Sequence, residues 1–140
     1  MIHEFEELHL SVKKCRAFCP WTKEQTLSSF AKHILSEAEE VVAAAQKNDI
    51  KNLKEELGDL LWNVLMTAHI AEESGIFTVD EVLKEVVVKM RRRKPFVFDG
   101  RQVTLEEAGE LWVETKVQEK LINGKTHTNN NGNSQKISTR

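Results

Sequence analysis

The 140 residues suit one domain, with 40% hydrophobic residues for a core, 30% charged residues, and only two prolines and six glycines to interrupt helices. A formal net charge of −2 argues against bulk nucleic-acid binding, which needs a basic surface. The acidic opening MIHEFEELHL is not a signal peptide, and no run approaches the roughly 18 apolar residues of a membrane span, so a cytoplasmic protein without a membrane partner is expected. Residues 1–18 read as a helix on Phe5, Leu8, Leu10 and Val12. Cys15 and Cys19 are four apart and too few for a zinc site, so reduced thiols are expected. Cys19-Pro20-Trp21 breaks the pattern, and Thr22-x-x-Gln25 offers a capping box for the next helix. That helix runs to about Gln46, with Leu27, Phe30, Ile34, Leu35, Ala38, Val41 and Val42 at spacings of three and four. Lys47-Asn48-Asp49 is a turn, and Asp49 can cap a third helix from about Ile50 to Ser74, which Gly75 ends.

Thr78-x-x-Glu81 caps a further helix ending near Lys94-Pro95, and Phe96 to Arg101 reads as a turn. Thr104-x-x-Glu107 caps a last helix reaching about Leu121. The domain therefore spans 1–122. Residues 123–140 hold five asparagines and one large apolar residue, Ile137, and are expected to be a disordered tail. The fold class is all-α, a bundle of four to five helices. The broad apolar stripes of the second and third helices call for a second copy to cover them, as a homodimer or homotetramer. Trp21 and Trp62 read as core residues. His3, His9, His69 and His127 carry no usable pattern.

Glu37 and Glu40 are three apart on the second helix, and Glu56 and Asp59 are three apart on the third, so each pair shares a face. Both pairs border the apolar stripe. A short turn makes the two helices antiparallel neighbours. Glu40 and Glu56 are each eight residues from Asn48, and Glu37 and Asp59 are each eleven, so four carboxylates should meet in one layer. Such a layer cannot stay ionised without a partner. An all-oxygen set suits Mg²⁺ or Mn²⁺, with substrate phosphates completing the shell. Such a cation could also orient a water against a triphosphate.

These residues stand among others that together form a recognisable set. Cys19-Pro20-Trp21 and Gln25-Thr26 precede Leu35-Ser36-Glu37 and Glu40-Val41; Glu56-Leu57-Gly58-Asp59-Leu60-Leu61 follows, then Lys89, Arg92-Arg93, Pro95 and Val97-Phe98, with Trp112 and Lys116 near the end. The chain resembles, from about Cys19 to Lys120, the MazG family of all-α nucleotide pyrophosphohydrolases. That family carries an EExxE element followed by ExxD. The last two acids of the first element fall on Glu37 and Glu40, and the ExxD falls on Glu56 and Asp59. The resemblance implies Mg²⁺-dependent cleavage of a nucleoside triphosphate between its α and β phosphates, in nucleotide-pool house-cleaning, by paired helical subunits. Glu37 and Glu40 become the catalytic candidates, and all four acids the metal ligands. Ser36 departs from the pattern, standing where the family has its first glutamate. A nucleotide-binding sensor with weak turnover is therefore the alternative. His33, one turn before Glu37, could hydrogen-bond it.

Lys89-Met90-Arg91-Arg92-Arg93-Lys94 holds five basic residues in six, more than a helix C-terminus requires. Lys89, Arg92 and Arg93 are the phosphate-binding candidates, because arginine can fork phosphate oxygens and lysine acts as a point charge. Trp112 and Lys116 are four apart and share a face; the resemblance suggests a stacked base with a phosphate beside it. Asn63, one turn beyond Asp59, could touch the sugar or a water.

Overall fold

The structure is a computed structural model, and it describes residues 1–129, with side chains through Ile122. Among the described residues there are only helices: α1 (Ile2–Phe18), α2 (Pro20–Glu24), α3 (Leu27–Gln46), α4 (Ile50–Glu73), α5 (Val79–Arg93), α6 (Pro95–Asp99) and α7 (Leu105–Asn129). The fold class is all-α, as the sequence predicts, with five long helices and two of five residues each. Contacts gather the chain into two compact units, Met1–Leu83 and Lys84–Arg140.

In the first unit, α3 and α4 pack along each other and α1 packs on α4. The connecting turn has the form expected. Asn48 takes a positive φ of 54°, a region asparagine tolerates, and Asp49 accepts a hydrogen bond from the Asn52 amide at 3.1 Å. The core joins Val12 of α1, Phe30 of α3, Leu65, Met66, Ala68 and Ile70 of α4, and Val79 at the start of α5. Phe5, Leu8, Cys15, Leu27 and Trp62 pack against it, partly buried. Each large apolar side chain buried this way contributes about 1.5–3 kcal/mol. Trp62 thus joins the core as expected. Trp21 does not: it is 54% exposed and lies against Phe30 at 6.0 Å between ring centres. It sits on α2, a single turn lying outside the main helix stripes.

The start of α3 also differs from expectation. Thr26, not Thr22, is the N-cap, and it exchanges hydrogen bonds with Ser29 at 3.1 and 3.0 Å. Pro20 opens the separate helix α2, which consumes the residues expected to begin α3. Thr22 is buried and donates its hydroxyl to the Cys15 and Cys19 carbonyls at 2.6 and 3.1 Å. Arg16 collects the carbonyls left at the end of α2, donating to those of Thr22, Lys23 and Gln25. Cys15 and Cys19 are free thiols, as expected.

Gly75, at φ 68°, turns the chain out of α4. The Thr78–Glu81 box forms: the Thr78 amide donates to Glu81 Oε2 at 2.7 Å and the Glu81 amide to Thr78 Oγ1 at 3.1 Å. The Thr104–Glu107 box forms likewise at 2.7 and 3.2 Å. The turn expected over Phe96 to Arg101 is instead the helix α6 followed by Gly100 at φ 75°, because Pro95 provides a preset first helical residue. Helix α7 continues beyond Leu121 to Asn129. The remainder of the expected tail, 130–140, lies outside the described residues. No helix among the described residues is long and apolar enough to cross a membrane.

Candidate functional site

The α3–α4 pair brings three of the four expected acids together. Glu37, Glu56 and Asp59 each present a carboxylate oxygen, and the three oxygens lie within 4.8 Å of one another. Glu37 is half-buried, Asp59 is exposed, and Glu56 is buried with 8% of its surface accessible. Burial pushes the Glu56 carboxyl above the usual carboxylate range, and the charges of Glu40, Asp59, Glu37 and Glu55 push it further. Glu40 stands close enough to act first among those charges, yet it lies outside the compact trio. It is exposed, and its Oε1 lies 3.5 Å from the Ser36 hydroxyl, the long limit of a hydrogen bond. The residue count about Asn48 thus placed the layer correctly but overstated the symmetry of its two pairs.

This donor set fits a hard divalent cation. All its ligating atoms are oxygens, and Mg²⁺–oxygen distances of about 2.0–2.1 Å put the donors of one ion no more than about 4.2 Å apart. The 4.8 Å limit on the trio's separations lies just above that range. Burial of Glu56 without a compensating cation leaves the anion disfavoured, which is the electrostatic condition a cation relieves. Asn63 is buried one turn beyond Asp59. His33 sits in an aromatic cluster, its ring 5.7 Å from that of Trp21 and 5.3 Å from that of Phe30, so its position is explained by packing.

In the second unit the basic run is organised by a residue that sequence reading overlooked. Glu119 of α7 accepts from Arg92 Nε and Nη2 at 2.8 and 2.5 Å, and from Arg93 Nε and Nη2 at 3.2 and 2.6 Å. These bonds, Arg93 first, hold the Glu119 carboxyl down at about 2. The Arg93 guanidinium and the Lys94 ammonium lie 5.0 and 5.4 Å from the centre of the Trp112 ring, within cation–π range. Lys89, Arg92 and Arg93 line a groove of about 560 Å³ with Thr115, Gln118 and Glu119. Trp112 and Lys116 share a smaller hollow of about 260 Å³ with Lys120. The three phosphate candidates therefore gather as expected, but both arginines already hold a carboxylate. Helical spacing carried no signal for Glu119, because Arg92 and Arg93 lie 27 and 26 residues before it on another helix.

The family model for the MazG nucleotide pyrophosphohydrolase domain matches residues 25–98, more than half of the chain. The chain belongs to this family. The MazG match takes in the whole acid layer together with Lys89, Arg92 and Arg93, while Trp112 and Lys116 follow it in sequence. A crystal structure of a mazG-related protein from Thermotoga maritima superposes with a TM-score of 0.73 at 34% identity, covering 79% of this chain and 97% of that one. The nucleoside triphosphate pyrophosphohydrolase of Mycolicibacterium smegmatis is 38% identical over 111 residues, 78% of this chain and 34% of its own length. That of Escherichia coli K12 is 37% identical over 103 residues, 73% of this chain and 39% of its own. The chain thus spans little more than a third of the length of these two relatives.

Proposed function

We propose that this chain is a Mg²⁺-dependent nucleoside triphosphate pyrophosphohydrolase, cutting NTPs or dNTPs to the monophosphate and pyrophosphate, and serving nucleotide-pool house-cleaning in the cytoplasm. The observation that carries the reading is the trio Glu37, Glu56 and Asp59, with oxygens within 4.8 Å and one member held against ionisation, in a chain of this family. A Mg²⁺ or Mn²⁺ ion bound there would polarise the triphosphate and acidify an attacking water. Glu37, Glu56 and Asp59 would hold the cation, and Glu40 would complete its shell or accept the proton of the attacking water. Lys89 supplies a fixed positive charge to the phosphates. Arg92 and Arg93 would exchange Glu119 for the phosphate oxygens and fork them, and Trp112 and Lys116 would receive the nucleotide's base and a phosphate. The assembly is a homodimer or homotetramer. Pyrophosphate release from a panel of NTPs and dNTPs, with and without Mg²⁺, tests the reading; no release from any of them overturns it.

One observation favours a second reading, a nucleotide sensor with weak turnover: Ser36 offers Glu40 only a long hydrogen bond where the family pattern has an acid. General-base assistance contributes about 10²–10⁴-fold in rate. On the enzyme reading, Ser36→Glu changes kcat by less than tenfold, because activation of the water rests mainly on the cation. A rise of tenfold or more at unchanged Mg²⁺ affinity supports the sensor instead.

A further inference from the structure

The acid layer leaves a second group of ligating side chains unused, where α1 packs on α4. His9 of α1 and His69 and Glu72 of α4 each present one ligand atom, and the three atoms lie within 4.8 Å of one another. The two imidazoles meet edge to face, 6.4 Å between centres and 82° between planes. His9 Nε2 is buried with no hydrogen-bond partner, the only such side-chain atom among the described residues. A buried imidazole nitrogen left unpaired costs free energy and calls for something to fill its lone pair.

The surroundings of His69 point the same way. Its Nδ1 lies 3.2 Å from Glu72 Oε2, and its Nε2 lies 3.5 Å from Glu73 Oε1. Glu73 in turn accepts from Arg16 Nε at 2.7 Å. One ring nitrogen thus stands beside a carboxylate that could share an ion with it, and the other is aimed at a carboxylate anchored by an arginine. That outer carboxylate is the usual orienting partner of a metal-bound imidazole. Glu72 and Glu73 account for the two nitrogens of His69 and leave His9 Nε2 without a partner.

Two imidazole nitrogens and one carboxylate oxygen form a borderline-soft donor set, unlike the all-oxygen acid layer. We infer that His9, His69 and Glu72 bind a Zn²⁺-class dication, separately from the carboxylate layer, with water in the fourth position and Glu73 and Arg16 orienting His69. Zn²⁺ bonds of about 2.0–2.2 Å place tetrahedral ligands about 3.3–3.5 Å apart, so the trio, within 4.8 Å, would draw in slightly to hold the ion. The ion would tie α1 to α4.

The test is a Zn²⁺ titration of the full chain in a large excess of Mg²⁺, read by calorimetry, with Co²⁺ absorption reporting tetrahedral nitrogen–oxygen coordination. One equivalent should bind beside Mg²⁺ and raise Tm. His9→Gln and His69→Gln should each weaken binding tenfold or more, while Glu56→Gln, which alters the acid layer, should leave it unchanged. Zn²⁺ should also shift the imidazole NMR signals of His9 and His69 in the wild-type chain, a readout independent of how well the variants fold. Failure to bind Zn²⁺ beside Mg²⁺, binding by both histidine variants as tight as that of the wild type, or binding that leaves those signals in place would each overturn the inference.

Discussion

Glu56 is held in a state of tension by its neighbours. It is buried, and four neighbouring acids raise its carboxyl further. A carboxylate whose folded value lies above its unfolded one contributes stability only below the unfolded value, and that contribution is lost as pH rises through the folded value. At neutral pH, in the absence of a cation, ionised Glu56 therefore works against folding. Glu56→Gln removes that charge while keeping its shape. In chelator, the variant should melt above the wild type at pH 7, with the gap closing as pH falls below the carboxylate range. In Mg²⁺ the order should reverse, because the wild type alone gains the full cation shell. Thermal melts in the two buffers check both halves, and a variant less stable in chelator would show that Glu56 is already neutralised by other means.

At the scale of the element, the sequence was most legible where one local rule acts alone. The Asp49 cap, the Gly75 exit and the two Thr-x-x-Glu boxes each depend on residues within one turn, and each formed. The α3 start was misread because two threonines competed and Pro20 favoured a short separate helix. The acid trio was legible because both its helices flank one turn, so counting from Asn48 fixed relative height; counting could not resolve which way each side chain swings, and Glu40 fell outside. Glu119 was missed because its partners are more than twenty residues away, beyond the reach of helical spacing. Its consequence is measurable. The carboxyl is depressed from an ordinary 4.5 to about 2, so the Arg92–Arg93 fork stabilises fully above about pH 4.5 and fades as pH falls toward 2. The Tm advantage of wild type over Glu119→Gln should be flat above that range and shrink below it. An advantage that persists at pH 2 would show that it comes from packing and not from charge.

At the scale of the molecule, a row of apolar residues stands exposed on the first unit. Leu57, Leu61 and Val64 follow one helical stripe of α4 at 50%, 42% and 39% exposure, and Leu35 and Val42 of α3 are more exposed still. Both helices were expected to carry broad apolar stripes; α1 packs on part of that of α4, and the core forms there. A second copy of the chain is the expected cover, since exposed apolar stripes of this extent mark interfaces. Leu61→Glu should then convert the assembly to monomer in analytical ultracentrifugation while keeping helical content. Unchanged sedimentation would remove this face from the interface.

The turn at 47–49 is only three residues long. Closing so short a loop costs little chain entropy, and contacts between sequence neighbours form early in folding. Glu37, Glu56 and Asp59 are therefore driven together at the moment the α3–α4 hairpin closes, before more distant segments have docked. The mutual repulsion that makes the layer ready for a cation belongs to the folding barrier as well as to the finished structure. If the layer binds a divalent cation as proposed, a chain that folds in its presence should cross a lower barrier than one that folds first and binds afterwards.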